Sequence, residues 1–251
     1  MRLARRGRGA IVLAAGNGDR FHNSTHDSKL LEPLLGQPIL IRTLECAHAA
    51  GVRHATVVLG YQADRVRAVV EAGAPAGLSL TFAFNPDWRL ENGISVLAAE
   101  PRLATSRFAV LMGDHVFEPR VLDALFTAPL EADESVLAID MRPAPLEVAV
   151  EATKVSLDGT RITAIGKDLE GYDALDTGVF VCTPVLFDAL RDARAAGDTT
   201  LSGGIRRLAA RGLMRGLDIG DATWCDIDTV TDLQAAELAL LGTATTPDVL
   251  A

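Results

Sequence analysis

Along the first half of the chain, short apolar runs alternate with segments of helical period. Ala10 to Leu13 predicts a strand, PILIRTLECAHAA a helix near 38–50, and ATVVL a strand over 55–59. A helix near 62–72, a strand near 79–84, a helix near 92–100 and a strand over 108–112 follow. Alternation of this kind predicts βαβ units, and so a largely parallel sheet covered on both faces. The second half is more mixed. SVLAIDM (135–141), EATKVSL (151–157), ITAIGKDL (162–169), DTGVFVCT (176–183) and MRGLDIG (214–220) read as strands, with helices near 184–196 and 202–211 and a last one from 229 to 241. No repeat or low-complexity linker divides the chain. The expectation is a single-domain α/β fold over 10–242, a Rossmann-like doubly wound sheet that is mixed but mostly parallel, with a smaller β subregion in its second half. A flexible basic tail at 1–9 and a second flexible tail at 243–251 flank it.

Composition narrows the class. At 251 residues and 49% hydrophobic, the chain can bury a core. A net charge of −9, with basic residues massed only in MRLARRGRG, argues against a nucleic-acid partner. That start has too few apolar residues for a signal peptide or a membrane span, so a cytoplasmic protein without membrane insertion is expected. Cys46, Cys182 and Cys225 are odd in number and far apart, which fits reduced thiols rather than disulfides or zinc. No heptad and no exposed apolar helix stands out, so the pattern leaves the oligomeric state unread.

Candidate chemistry begins where the first strand ends. Leu13 is followed by Ala14, Ala15, Gly16, Asn17 and Gly18, small residues that let backbone N–H groups turn towards a phosphate. Arg20 would add forked donors near the same anion, and Lys29 a point charge. A glycine-rich turn is also ordinary punctuation, and without GxxxxGK[ST] this is no P-loop. Two acidic strand ends complete the set: VLMGDH ends on Asp114, and WCDID carries Asp226 and Asp228. In doubly wound sheets ligands lie beyond the carboxyl ends of the strands, so one crevice can collect these pieces, with Gly60 and Tyr61 at its border. Magnesium is usually held by one or two carboxylates plus substrate phosphates, and Asp114 with Asp228, or Asp226 in its place, meets that need. Strand alternation puts Asp226 and Asp228 on one side and does not choose between them. Each aspartate could instead cap a helix or form a turn. His115 follows Asp114, and alternation points it away, towards packing or support behind the site. His22 and His26 fall in a polar loop.

The motifs LAAGNGDRF with Lys29, NPDWRLENGISVLAAE, FAVLMGDHVF, EATKV, IGKDL, DTGVFV and WCDIDT resemble, in this order, the sugar-nucleotidyltransferase-like family of glycosyltransferase-A type fold. The likeness runs from Ala10 to about Leu241 and is nearest to the CTP:inositol-1-phosphate cytidylyltransferases, then the phosphocholine cytidylyltransferases. Ser28 departs from the pattern, standing where proline usually precedes the lysine. The resemblance implies a magnesium-dependent enzyme that joins CTP and a small phosphorylated alcohol, inositol-1-phosphate foremost, to give CDP-inositol and pyrophosphate. It assigns Arg20, Lys29 and Asp114 to catalysis, and Leu13, Ala14, Ala15, Gly16, Asn17, Gly18, Gly60, Asn92, Gly93 and Ser95 to the nucleotide. Asn92 could equally cap the helix entering SVLAAE. Lys154 and Lys167, expected to meet across a hairpin at Asp158–Gly159, would hold the acceptor phosphate, with Glu151, Asp176, Thr177 and Gly178 lining its pocket.

Rival readings meet obstacles. A dehydrogenase would need an acidic residue at the end of the second strand, where Gly60 stands. A catalytically inactive nucleotide-sugar sensing domain could dispense with Asp114, Asp228 and Lys29, which this chain keeps. A phosphocholine or phosphonate cytidylyltransferase, or a transferase using UTP or GTP and a sugar-1-phosphate, differs in specificity rather than fold. An aromatic content of 5% offers no cage for choline, which favours a polyol phosphate.

Overall fold

In a computed structural model, which describes residues 7–19, 21, 28–103 and 105–244, the first strand is buried on both faces. β1 (Arg8–Ala14) sends Ala10, Val12 and Ala14 into one apolar cluster and Ile11 and Leu13 into another. That division sets the architecture, because every strand beside β1 faces two helical layers. The chain continues through the short β2 (Pro33–Leu34) and β3 (Gln37–Pro38), α1 (Ile39–Ala49), β4 (Val52–Leu59), α2 (Ala63–Gly73), β5 (Ser79–Phe84), α3 (Asn92–Ala99) and β6 (Phe108–Met112). Then come β7 (His115–Phe117), α4 (Pro119–Thr127), β8 (Ser135–Asp140), α5 (Leu146–Glu151), β9 (Lys154–Asp158), β10 (Arg161–Gly166) and β11 (Ala174–Cys182). The last elements are α6 (Val185–Ala195), α7 (Leu201–Ala210), β12 (Met214–Asp218), β13 (Trp224–Asp226) and α8 (Val230–Ala244).

Among the described residues nine strands form the main sheet, in the order β5-β4-β1-β6-β11-β8-β12-β10-β9. From β5 to β6 neighbours run parallel, and β11 then lies antiparallel to both β6 and β8. One face is covered by α1, α2 and α4 through Leu40, Leu44, Val66, Val70, Leu122 and Leu125. The other is covered by α3, α6 and α7 through Val96, Leu186, Phe187, Ile205 and Leu208. After β1 the chain steps outward to β4 and β5, then crosses back to β6 on the far side of β1. The strand order therefore switches between β1 and β6, and a crevice opens at their carboxyl ends.

Several elements differ from the sequence pattern, the short strands β2, β3 and β7 among them. β1 starts at Arg8, two residues earlier than expected, and Arg8 is anchored by Asp123 at 2.5 Å. The helix α4 falls where the sequence pattern predicts no element, although Pro119 opens its first turn and Val121, Leu122 and Leu125 share its buried face. α5 takes the start of the expected strand, so β9 begins at Lys154 and Glu151 ends a helix. β7 and β13 pair as a separate antiparallel ribbon that sets Asp226 opposite His115. All three cysteines are free. On α8, Leu233, Ala236 and Leu240 pack into a third apolar cluster, while Leu238 is 72% exposed. Among the described residues no helix is long and apolar enough to cross a membrane.

Candidate active site

The glycine loop leaves β1 under tight backbone control. The Leu13 carbonyl accepts the Gly113 N–H and the Ala15 carbonyl accepts the Tyr61 N–H, both at 2.9 Å. These contacts need glycine at the neighbouring strand ends: a Cβ on Gly60 would lie 2.6 Å from the Ala15 oxygen, and one on Gly113 2.6 Å from the Leu13 oxygen. Gly60 thus supports the loop from behind, and Tyr61 packs on Trp88 at 5.5 Å between ring centroids. Gly18 has φ +65, and a Cβ there would meet the Lys29 Cγ at 2.9 Å. The space around Gly16 is open. Arg20, His22 and His26 lie outside the described residues.

Lys29 is buried, and its Nζ stands 2.7 Å from Asp114 Oδ2 and 2.7 Å from Asp228 Oδ1. Burial alone would lower its pKa, but the two carboxylates outweigh that and raise it, so the ammonium stays charged. Ser28 before it has proline-like dihedrals (φ −57, ψ 129), yet its N–H donates to Gln62 Oε1 at 3.1 Å. Proline could not make that bond, which gives the departure from the family pattern a local reason.

His115 corrects the alternation argument. Gly113 and Asp114 form a turn between β6 and β7, so the strand alternation restarts and the imidazole swings into the site. Its Nδ1 donates to the Thr177 carbonyl at 2.8 Å, and its Nε2 lies 3.2 Å from Asp226 Oδ1 and 3.8 Å from Asp114 Oδ1. Burial would lower the imidazole, but Asp226 first and then Asp114 push it up to about 10, and His115 in turn lowers Asp226. Gly178 makes room: its φ is +74, and a Cβ would sit 2.3 Å from the His115 Nδ1. Burial pushes the nearby Asp176 carboxyl up to about 6, while the Gly178 N–H, 2.7 Å away, opposes the rise. Two protein cations, Lys29 and His115, thus face the three carboxylates of Asp114, Asp226 and Asp228. Asp114, His115 and Asp226 each offer a ligand atom, all within 4.8 Å of one another. Such a cluster can hold a divalent cation, and its oxygen-rich donor set suits one.

A cleft of about 780 Å³ opens beside this cluster. Leu13, Ala15, Gly16, Asn17, Asn92, Ser95, Met112 and Asp114 line it. Ala14 and Gly93 are buried behind the wall. A Cβ on Gly93 would meet the Thr199 oxygen at 2.6 Å, so this glycine seats α3 against the start of α7. Asn92 is a cap, but of α7 rather than of its own helix: its Oδ1 accepts the Leu201 N–H at 2.8 Å. The Ser95 Oγ accepts from Asn85 Nδ2 at 3.0 Å, which leaves its own hydrogen to donate. Trp88 and Arg89, with the guanidinium 4.3 Å from the ring centroid, also line the cleft. Sequence reasoning passed over them, although DWRL stands directly before ENGIS.

The expected acceptor residues come together only in part. Gly159, with φ +59, turns the hairpin, β9 pairs with β10, and Lys154 faces Gly166. Lys154 Nζ donates to the Lys167 carbonyl and lies 5.9 Å from the Tyr172 ring centroid. β9 also pairs with β11, setting Lys154 beside Leu175 and Asp176. Thr177 turns its side chain away, fully buried with its hydroxyl on the Ala138 carbonyl at 2.8 Å. Glu151 is exposed at the end of α5. An unforeseen pair stands close by: Asp140 accepts from Arg142 at 2.7 Å and from Trp224 Nε1 at 2.8 Å.

The profile of the MobA-like NTP transferase domain matches residues 10–211, and the chain belongs to that nucleotidyltransferase family. A curated relative from Rubrobacter xylanophilus, the bifunctional IPC transferase and DIPP synthase, is 37% identical over 243 residues, covering 96% of this chain and 53% of the relative. The Aquifex aeolicus protein of the same name is 30% identical, covering 94% and 52%. The chain therefore spans about half the length of these relatives. The CMP-5'-(3-aminopropyl)phosphonate synthase of Streptomyces rubellomurinus is 31% identical, covering 91% of this chain and 38% of its own. Among solved structures, the inositol-1-phosphate CTP transferase from T. maritima is similar with a TM-score of 0.80 at 27% identity, covering 92% of this chain and 94% of that one.

Proposed function

We propose that this nucleotidyltransferase is a magnesium-dependent cytidylyltransferase that joins CTP to a phosphorylated polyol, foremost inositol-1-phosphate, giving CDP-inositol and pyrophosphate. The observation that carries the reading is the Lys29 ammonium clamped between Asp114 and Asp228 at the end of a cleft walled by the glycine loop. The names of the Rubrobacter and Aquifex relatives and of the T. maritima structure support the acceptor and the base.

A phosphate monoester has its second pKa at about 6 and reaches neutral pH largely dianionic, so it needs no activating base. One of its oxygens attacks the α-phosphorus of CTP, the bond from that phosphorus to the bridging oxygen breaks, and pyrophosphate leaves with the electron pair. The protein's work is alignment and charge neutralisation. N–H groups of Gly16, Asn17 and Gly18, with Arg20 and Lys29, hold the triphosphate. Asp114 with Asp228 or Asp226 would hold magnesium, which when bound would supply charge neutralisation at the phosphates. Asn92 Nδ2 and the Ser95 hydroxyl face the pyrimidine beside Trp88. Lys154 and Lys167 hold the acceptor phosphate, flanked by Asp176 and Glu151.

The test is pyrophosphate release with magnesium across CTP, UTP, GTP and ATP against inositol-1-phosphate, phosphocholine, glycerol-3-phosphate, hexose-1-phosphates and 3-aminopropylphosphonate. Release confined to CTP with inositol-1-phosphate is the expected result. Release with another pair replaces the substrate, the phosphonate being the alternative that the Streptomyces relative favours. Silence throughout overturns the reading.

A further inference from the structure

We infer that His115 is itself a metal ligand, so that the ion of this cleft sits among Asp114, His115 and Asp226 and the site intrinsically prefers a transition ion to magnesium. The inference rests on the reading that a divalent ion works here, but not on the identity of the substrates.

Asp114 divides its two oxygens. Oδ2 is held by Lys29 at 2.7 Å, while Oδ1 faces His115 Nε2 at 3.8 Å. Asp228 gives its Oδ1 to the same Lys29 at 2.7 Å. Asp226 turns its Oδ1 to the same Nε2 at 3.2 Å. Two compartments result, one filled by the lysine ammonium and the other bounded by Asp114 Oδ1, Asp226 Oδ1 and Nε2. The second has the dimensions of a coordination shell. Nε2 lies 3.8 Å from Asp114 Oδ1 and 3.2 Å from Asp226 Oδ1, and arms of about 2.1 Å span up to about 4.2 Å across an octahedron.

The imidazole is prepared for this role. A carbonyl oxygen only accepts, so Thr177 fixes the hydrogen on Nδ1 and turns Nε2 to the carboxylates. A histidine that binds metal through one nitrogen and donates the other to a backbone carbonyl has this arrangement. Gly178, whose missing Cβ leaves room for Nδ1, and the His115–Asp226 register of the β7–β13 ribbon hold the ring in place. With the ion in the second compartment, its charge takes the place of the Nε2 proton. An imidazole nitrogen adds affinity for manganese, cobalt or zinc that magnesium does not gain, although magnesium can still load the site by abundance.

The deciding measurement is pulsed electron paramagnetic resonance of Mn2+ added to the metal-free protein, with and without a non-hydrolysable CTP analogue. Protein with isotopically labelled histidine nitrogen identifies the coupled nucleus. Expected are one bound Mn2+ with histidine nitrogen coupling and a dissociation constant at least about tenfold below that of Mg2+ by competition. His115→Gln should lose the coupling and about tenfold of the Mn2+ affinity. Because the labelled wild type carries the main readout, poor folding of the variant leaves the test intact. Mn2+ bound without histidine coupling, or no Mn2+ bound in either state, overturns the inference. Coupling together with silence in the pyrophosphate assay would leave the metal site standing and remove the proposed substrates.

Discussion

Lys29 and Asp228 meet at 2.7 Å, Nζ to Oδ1, although 199 positions separate them in the sequence. The same ammonium holds Asp114, so one buried cation ties together the stretch after the glycine loop, the turn after β6 and the segment after β13. A site assembled from three distant pieces is here organised around one charge.

Lys29→Met keeps the length of the side chain and leaves two partly buried carboxylates without their cation. Stability at neutral pH should fall by about 3 kcal/mol, the low end for breaking a buried pair because both carboxylates retain some water contact. Added divalent metal should recover part of that loss. The wild-type pKa is raised above 10.5, so its contribution is present below that value for as long as the two carboxylates are ionised, and is lost as pH rises through the folded value. Turnover should drop about a hundred- to a thousandfold. Chemical denaturation at pH 7 and pH 10, with and without metal, checks the sign; equal stability of wild type and variant at pH 7 would refute it.

Gly178→Ala introduces a Cβ 2.3 Å from the His115 Nδ1, at a φ of +74 that L side chains rarely adopt. The expected cost is about 3 kcal/mol, with His115 displaced from Thr177 and Asp226. Thermal melting measures the cost, and the His115 ring resonances report the displacement. A variant that melts like wild type would mean that the ring has a second position the fold accepts equally well.

The parts legible in the sequence were those governed by local rules. A strand running into small residues marked the loop at Gly16–Gly18, and apolar runs ending on acids marked Asp114, Asp226 and Asp228. The hairpin at Asp158–Gly159 was readable from its turn residues. What stayed hidden depended on pairings between distant segments. The inward turn of His115 follows from a two-residue interruption between β6 and β7 and from the β13 partner, which no periodicity reveals. The burial of Thr177 and the capping of α7 by Asn92 likewise depend on which elements become neighbours. The helix α4 is different: Pro119 and the spacing of Val121, Leu122 and Leu125 are local signals that mark it in the sequence itself.

Asn92 has two candidate roles that substitutions can separate. Asn92→Ala should lose the cap on the Leu201 N–H and cost about 1 kcal/mol. Asn92→Asp keeps an acceptor at a helix N-terminus and should retain wild-type melting, while losing the Nδ2 donor. If Nδ2 faces the pyrimidine, both variants raise the KM for CTP about tenfold. A KM for CTP unchanged in both would leave Asn92 as a cap alone.

Asp140 ties stability to acid pH. Burial would raise its pKa, but Arg142 and the Trp224 N–H outweigh burial and hold the carboxyl below its ordinary 3.8. A carboxylate with a depressed folded pKa contributes stability above the unfolded value and loses it as pH falls through the folded one. The stability gap between wild type and Asp140→Asn should therefore be full at pH 6 and close as pH falls below the ordinary carboxylate range. Urea denaturation across that range tests it, and a gap independent of pH would mean that Asp140 acts by shape and not by charge.

Lys154 should separate acceptor binding from nucleotide binding. Its ammonium donates to the Lys167 carbonyl at the open end of the β9–β10 hairpin, and its strand pairs with β11 at Leu175. A charge-assisted hydrogen bond to a phosphate is worth about 1.5–3 kcal/mol, so Lys154→Ala should raise the KM for the acceptor about tenfold to a hundredfold. The KM for CTP should stay within about twofold, because Lys154 is not among the residues lining the nucleotide cleft. Lys154→Arg, longer and forked, should recover part of the loss if a phosphate is the partner. The hairpin itself should persist, since Gly159 and the β9–β10 pairing do not depend on the lysine. Steady-state kinetics with each substrate varied in turn distinguish the outcomes. Equal rises in both KM values would point to a general loss of order in the hairpin, and unchanged acceptor kinetics would move the acceptor phosphate to Arg142 and Lys167.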